Sequence, residues 1–165
     1  MKQIFRIERT NNLYLENNII IIIIIIIMFE ETILYEPVSL KRHRHRMCGG
    51  TYDPSKKDKD DFIKLITTFP EKKMTKPIKC ILQFYCKRPK THYKSGKHST
   101  QMKDTAPKYN TNKKDLDNMV KFVLDAFNNQ LYEDDCQIIE IHCSKLYVEH
   151  SEETGYIYAK FEEIG

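Results

Sequence analysis

The sequence predicts an α+β domain in which two amphipathic helices pack on one face of a small mixed or antiparallel sheet. Residues 77–87 alternate apolar and polar side chains, which is the period of a strand with one buried face. Residues 53–70 and 118–128 instead repeat apolar side chains at the spacing of a half-buried helix. Short strand patterns flank both helices, so each helix has a sheet face to cover.

The first half of the domain is predicted to contain an edge strand, a helix and a second strand. Residues 32–37 are β-branched and aromatic and end at a proline, which predicts the edge strand. Asp53 can cap the free amides of a helix whose first position is Pro54. This helix ends at Pro70, and its apolar face comprises Phe62, Leu65, Ile66 and Phe69. After Pro77, the buried side of the next strand comprises Ile78, Cys80, Leu82, Phe84 and Cys86.

The second half is predicted to contain a long loop, a helix and a hairpin. Residues 88–111 are polar, basic and almost free of aliphatic side chains, and loops of this length are usually functional or disordered. The helix over residues 118–128 buries Val120, Val123, Leu124 and Phe127, after which two asparagines turn the chain. Residues 136–148 then form a long strand, residues 152–155 a turn, and residues 156–161 the hairpin partner.

Residues 1–27 form a low-complexity extension that we expect to lie outside the fold. The run of isoleucines from Ile19 to Ile27, even when lengthened by Met28 and Phe29, falls short of the roughly 20 apolar residues of a membrane span. No small-residue cleavage site follows the run, so a signal peptide is also disfavoured. We therefore expect the working start at Met28 and a single domain over residues 28–165.

Charge is distributed unevenly along the chain. Residues 87–114 contain nine Lys or Arg and one acidic residue, whereas residues 130–165 contain nine acidic residues and two lysines. This asymmetry predicts an anionic partner at one face and a cation near the other, although plain surface variation is the alternative. The five cysteines form no CxxC pair, which predicts small buried side chains in a reducing compartment, cytoplasmic or nuclear.

The stretch KKDLDNMVKFVLDAFNNQLYEDD gathers acidic residues around one short helix. Asp115 and Asp117 point to the same side of the chain as it enters the helix, and Asp117 or Asn118 caps the helix. Lys121 lies one turn after Asp117, and Asp125 one turn later still. Whether Asp135 returns to the first pair cannot be read from the spacing.

Clustered carboxylates would require a cation. Two carboxylates about 4 Å apart repel by roughly 4 kcal/mol at an effective dielectric constant near 20. Their hard oxygens favour Mg²⁺ or Mn²⁺. The structural alternative is that Asp117 only caps the helix, that Asp115 pairs with a neighbouring lysine, and that Lys121 is a solvated residue beside Asp125.

The segment KKDLDNMVKFVLDAFNNQLYEDDCQIIEIHCSK resembles the signature of RusA-type Holliday junction resolvases. The preceding RPKTHYKSGK and TAPKYNTNKKDLDN are similar to the long-loop, phage-type members, and TYDPSKK is similar to the family's early turn. The resemblance covers residues 31–161. One departure is Lys114, where many members have a proline before the aspartate.

The resemblance implies a Mg²⁺-dependent, homodimeric endonuclease that makes paired nicks in four-way DNA junctions during recombination and repair, in a cell, virus or phage. By position, it implies that Asp115, Asp117 and Asp135 are catalytic and hold the metal ion, and that Lys121 is the catalytic lysine. Asp134 matches a further family carboxylate. The complete acidic set favours this enzyme over a non-catalytic protein that binds branched DNA or other nucleic acid.

The resemblance also assigns the basic loop to DNA. Its cations would neutralise phosphates, so affinity would fall steeply with salt, and its aromatic side chains would stack on unpaired bases. The predicted DNA-binding residues are Arg88, Lys90, His92, Tyr93, Lys94, Lys97, Lys108, Tyr109, Lys113 and Lys114. A solvated flexible loop is the structural alternative.

Overall fold

The computed structural model describes residues 28–47, 49–112, 114–150 and 154–164, and the predicted extension lies outside this part of the chain. The strands are β1 (Met28–Ile33), β2 (Arg44–His45), β3 (Thr51–Tyr52), β4 (Ile78–Cys86), β5 (Ile138–Tyr147) and β6 (Tyr156–Glu163). The α-helices are α1 (Lys56–Ile63) and α2 (Leu116–Phe127). A mixed sheet has the strand order β1-β6-β4-β5, and β2 pairs with β3 as a separate basic ribbon. The α+β class is therefore confirmed.

Strand β4 has the predicted alternation. All five residues predicted for its buried side have 3% or less of their surface exposed, and the residues between them are half-buried. Strand β5 runs parallel to β4, and α2 lies in the crossover connection between them. A parallel pair needs such a crossover, so β4, α2 and β5 form a βαβ unit.

The predicted hairpin of the last two strands is wrong. Strand β6 lies between β1 and β4 and is antiparallel to both, whereas β5 is at the opposite edge of the sheet. The burial of the two strands agrees with this order. Every second residue of β6 is buried, including Ile157, Ala159 and Phe161, but β5 is fully buried only at Leu146 and Tyr147.

The edge strand is confirmed at the edge of the sheet, but its predicted bounds are wrong. Strand β1 ends at Ile33, where the Tyr35 amide donates to the Ile33 carbonyl at 2.8 Å and turns the chain. The Tyr35 ring then stacks on Phe122 of α2, with 6.0 Å between the ring centroids. Residues after Ile33 therefore contribute to the layer between sheet and helices rather than to the ladder.

Helix α1 is shorter than predicted at both ends. The Asp53 carboxylate accepts a hydrogen bond from the Ser55 amide at 2.8 Å, so it closes the turn before the helix instead of capping it. Helix α1 ends at Ile63, and the Glu31 carboxylate then accepts from both the amide and the hydroxyl of Thr67. Leu65 is consequently 45% exposed, although the other three residues of the predicted face pack in the core.

Helix α2 covers the sheet together with α1. It begins two residues earlier than predicted and buries Met119, Val120, Phe122, Val123, Ala126 and Phe127. The turn after it is confirmed, since Asn129 has a φ of 61°. The rings of Phe62, Phe122 and Phe127 meet edge to face at 5.7 Å between α1 and α2, and Phe127 continues this contact to Phe161 of the sheet. Within the described ranges, no helix is long and apolar enough to cross a membrane.

Candidate active site

The first turn of α2 leaves two carboxylates facing solvent. Asp115 occupies the N-cap position with an extended backbone, φ −71° and ψ 133°, but its side chain makes no capping hydrogen bond. The predicted cap at Asp117 or Asn118 is therefore wrong, because the helix begins at Leu116. Leu116 turns toward the core, as predicted. Both Asp115 and Asp117 are exposed, so their oxygens are available to a ligand.

Lys121 lies one helical turn from Asp117, as predicted. Its ammonium nitrogen is 3.8 Å from Asp117 Oδ2, and the two side chains are 62% and 67% exposed. A pair this exposed contributes little to stability, about 0–1 kcal/mol. The positive end of the helix dipole further favours an anion at this turn. The pair is therefore better suited to holding charged groups at the surface than to stabilising the fold.

Lys145 supports this turn and was not predicted as a site residue. It projects from β5, and its ammonium group donates to the carbonyl of Asn112 at 2.9 Å and to the carbonyl of Lys114. These bonds fix the chain just before Asp115. The signal in the sequence is a lysine on the helix side of a strand, and it is also the last residue of the resolvase-like segment.

Asp134 and Asp135 lie in a separate turn before β5. The Asp134 carboxylate accepts from the Cys136 amide at 2.9 Å. The hydrogen bond with the Cys136 thiol and this bond with its amide both lower the pKa of Asp134. Gln137 completes a capping box by accepting from the Asp134 amide at 2.9 Å. The side-chain amide of Gln137 also donates to the backbone carbonyls of Met74 and Lys76, each at 3.2 Å. Asp135 is exposed beside this well-fixed turn.

The two acidic groups lie toward opposite ends of α2. Lys145 ties the N-terminal end of α2 to the far end of β5, whereas Tyr132, three residues before Asp135, donates to the Leu124 carbonyl in the last turn of α2 at 2.7 Å. Burial raises the pKa of Tyr132, and the charge of nearby Asp135 adds to this effect. A helix of 12 residues is about 18 Å long.

One chain does not assemble the three carboxylates. Among the described residues, no three His, Cys, Asp or Glu side chains are grouped closely enough to hold a metal ion. Asp125, one turn after Lys121, pairs with Lys59 of α1 at 3.5 Å instead. The assignment of Asp115, Asp117, Asp135 and Lys121 to catalysis stays a prediction, and so does their role as metal ligands.

The predicted DNA-binding residues that the structure describes fall into three groups, exposed, half-buried and buried. Exposed side chains belong to Lys90, Lys94, Lys97, Lys108 and Tyr109. His92, Tyr93 and Lys114 are half-buried, and Lys113 lies outside the described residues. Arg88 is only 8% exposed: its guanidinium donates to the carbonyls of Val148 at 2.6 Å and Pro107 at 2.7 Å.

The basic loop is held against the edge of β5. The Asn110 amide donates to the Lys145 carbonyl at 3.1 Å, and the Tyr147 amide donates to the Lys108 carbonyl at 3.0 Å. Inside the loop, the Lys94 amide donates to the Gln101 carbonyl at 2.9 Å. The loop is therefore an ordered surface that presents cations next to the first turn of α2.

The chain is similar to a family of nucleases and to a bacterial relative. The family model described as Endodeoxyribonuclease RusA matches residues 35–154. The chain is also 34% identical over 127 residues to a protein of Bacillus subtilis (strain 168) named Uncharacterized protein YqaN. That alignment covers 72% of the chain and 87% of the relative.

Proposed function

The chain belongs to the endodeoxyribonuclease RusA family, and from this membership we propose that it is a Mg²⁺-dependent endonuclease that resolves four-way DNA junctions by paired nicks. One observation carries the proposal: two exposed carboxylates, Asp115 and Asp117, flank the start of α2 with the Lys121 ammonium one turn away. Its proposed role is DNA recombination and repair in a reducing compartment, cytoplasmic or nuclear, of a cell or of the host of a virus or phage.

We propose that the metal site is shared between two subunits of a homodimer. Asp135 lies toward the opposite end of α2 from Asp115 and Asp117, so a two-fold axis crossing the middle of α2 and β5 would bring the partner's Asp135 to the first pair. Ile141 supports this arrangement, because it is 42% exposed on the helix side of the edge strand β5, and Ile139, at the register shift just before it, is 62% exposed. A second subunit would cover them and complete two equivalent sites at once.

The chemistry of the donors fits a hard divalent ion. Asp115, Asp117 and Asp135 would hold Mg²⁺ or Mn²⁺ through carboxylate oxygens, which these ions prefer. Such an ion, when bound, activates water and neutralises phosphate charge. Lys121 donates to the scissile phosphate and stabilises the negative charge that develops there. Asp134 already accepts the Cys136 amide, so we assign it to positioning Asp135 rather than to binding the ion.

The DNA backbone would follow the basic loop toward the first turn of α2. Lys90, Lys94, Lys97 and Lys108 are exposed and can neutralise phosphates, and Tyr109 is 61% exposed and can stack on a base. His92, Tyr93, Lys113 and Lys114 stay in the proposed interface. We do not include Arg88 in the proposed interface, because its guanidinium is buried and already donates to two carbonyls that anchor the loop.

The test is cleavage of a synthetic four-way junction with Mg²⁺ or with EDTA. The wild-type protein should make paired nicks only with Mg²⁺. Asp117→Asn keeps size and hydrogen bonding but removes a ligand charge, so it should bind the junction with near wild-type affinity and cut it at least about 100-fold more slowly. Asp60→Asn is the matched control, because Asp60 of α1 also pairs with a lysine one turn away, at 3.3 Å.

The outcomes separate the two candidate functions. Loss of cutting in Asp117→Asn alone supports the nuclease. Equal cutting by Asp117→Asn and wild type would remove Asp117 from the mechanism. Tight junction binding without any cutting by the wild type, in either Mg²⁺ or Mn²⁺, would favour the non-catalytic DNA-binding protein.

A further inference from the structure

A groove lies on the face of the sheet opposite the helices, beneath the basic loop. Its volume is about 900 Å³, within the range of small-ligand sites. Gln83 and Tyr85 of β4 and Ser144 of β5 line its floor, because the register pairs Gln83 with Ser144 on the face away from buried Phe84. Tyr93, Lys108 and Tyr109 of the loop line its walls.

The groove combines flat aromatic surfaces with side chains that can form hydrogen bonds to the edge of a planar ligand. Gln83 Oε1 accepts from the Tyr85 hydroxyl at 3.2 Å, which leaves the Gln83 amide hydrogens as donors. The Tyr93 hydroxyl is buried and has no hydrogen-bond partner in the described part of the chain. At the rim, the Lys108 ammonium lies 5.9 Å from the centre of the exposed Tyr109 ring. Aromatic walls, an amide and a cation at the entrance match a nucleobase attached to a phosphate backbone.

The groove lies across one strand from the candidate active site. Consecutive residues of a strand point to opposite faces. Lys145 points to the helix side and holds the chain before Asp115, whereas its neighbours Ser144 and Leu146 point into the groove. A DNA strand with one phosphate at Asp115 and Asp117 can therefore pass over the loop segment that is bonded to this end of β5 and place a nearby base in the groove.

We infer that this groove receives one unstacked nucleobase of the junction, close to the scissile phosphate, and that Gln83 selects the base. The inference rests on the proposed function, since it adds base selection to junction cleavage. Unpaired bases at the centre of a four-way junction can leave the stack at lower cost than bases inside a duplex. Lys108 lines the groove together with Glu149, and the further lysines of the basic loop favour nucleic acid over a peptide as the occupant.

The first experiment places 2-aminopurine, a base whose fluorescence rises when it is unstacked, at successive positions near the junction centre. Binding is measured without divalent metal, so that cleavage is not required. With wild-type protein, fluorescence should rise at one position near the cut site. Replacing Tyr109, which is exposed, by Ala should reduce this rise by removing a wall of the groove.

The second experiment varies the base at that position and compares cleavage rates. The wild type should prefer one base by about tenfold, the discrimination given by one well-formed base contact. Gln83→Leu should lower the rate on the preferred base to that of the others, because it keeps shape but removes the amide. Gln101→Leu is the matched control; Gln101 lies outside the groove and should leave the ratio unchanged.

These outcomes distinguish the groove from the nuclease activity. Unchanged fluorescence at every position with bound wild-type protein would overturn base capture even if the junction is cut. If the Gln83→Leu variant prefers the same base as strongly as the wild type does, the role of Gln83 in base selection is overturned. A fluorescence rise without any cleavage in Mg²⁺ would support base capture in the groove and contradict the proposed endonuclease activity.

Discussion

Lys145 lies at a position of β5 that faces the helices, where the register pairs it with buried Phe84. Its ammonium group reaches past the sheet and donates to two carbonyls in the segment before Asp115. The same segment is also held by Lys114, whose ammonium group donates to the Pro37 carbonyl at 2.6 Å, and by Asn112, whose side chain donates to the Tyr147 hydroxyl at 2.9 Å. Lys145 therefore acts as a positioning residue for the first carboxylate of the site.

We predict that Lys145→Met slows junction cleavage about 10- to 100-fold, because a small displacement of catalytic groups has a large effect on rate. Junction affinity measured in EDTA should change little, so the loss should appear in kcat. Lys145→Arg keeps a long cationic donor and should recover part of the rate. Lys160→Met is the control, since Lys160 is a partly buried strand lysine that pairs with Glu30. A loss of affinity without a change in kcat would contradict the positioning role.

Single residues were predictable where their neighbours in sequence decide their environment. Leu116 turns to the core and Lys121 meets Asp117 because both follow from helical spacing. The burial of Arg88 was not predictable, for the opposite reason. Its burial depends on the carbonyls of Val148 and Pro107, which are distant in sequence and reach Arg88 only in the folded chain.

At the level of elements, α1 and α2 are joined by a small charge network. The Lys59 ammonium lies 2.7 Å from Asp53 and 3.5 Å from Asp125, and its side chain is only 18% exposed. Burial by itself would lower the pKa of Lys59, but the hydrogen bond that its ammonium group donates to Asp53 and the charge of Asp125 outweigh burial and raise it. The network therefore orients the helix that carries the candidate active site.

We predict that Lys59→Met lowers the free energy of unfolding by about 1–3 kcal/mol, because two partly buried carboxylates lose their cation. Lys56→Met should change it by about 0.5 kcal/mol or less, since Lys56 is 75% exposed in its pair with Asp60. Chemical denaturation at pH 7 measures both. Equal effects of the two substitutions would show that the network contributes nothing specific.

The same network gives a dependence on pH. Burial alone would raise the pKa of Asp53, but hydrogen bonds from Lys59 and the Ser55 amide lower it below its usual 3.8. A lowered folded-state pKa stabilises the protein above pH 3.8 and this contribution is lost as pH falls through the folded-state value. The difference between wild type and Lys59→Met should therefore shrink in acid.

Elements were predictable when their pattern lies within one segment. Strand β4 and helix α2 follow from periodicity alone, and the βαβ order of β4, α2 and β5 is already present in the sequence. The partner of β6 was not predictable in this way. It pairs with β1 and β4, which are distant from it in sequence, whereas the hairpin expectation used only proximity along the chain.

At the level of the whole molecule, the separation of the acidic groups is the central feature. The pattern of residues predicted the carboxylates but not their arrangement, because the distance of Asp135 from Asp115 depends on how α2 lies along β5. Within the described part of the chain, the outer edge of β5 has no strand partner before the basic loop covers its far end. Exposed Ile139 and Ile141 lie on this stretch and offer a surface to a second subunit.

A shared site makes a prediction that a site within one chain does not. Asp117→Asn and Asp135→Asn should each be inactive alone, because every site then lacks one ligand. In a mixed dimer, one site combines both substitutions, whereas the other takes Asp115 and Asp117 from one subunit and Asp135 from its partner, all unaltered. Mixing the two inactive proteins should therefore restore cleavage of one strand. Differently tagged chains report the subunit exchange, and at random exchange about half of the dimers are heterodimers. The control is a chain that carries both substitutions, mixed with wild type. Under the shared-site proposal, each site of that heterodimer lacks one ligand, so exchange alone should not restore cleavage. An inactive mixture with proven heterodimers would place all three carboxylates in a single chain and refute the shared site.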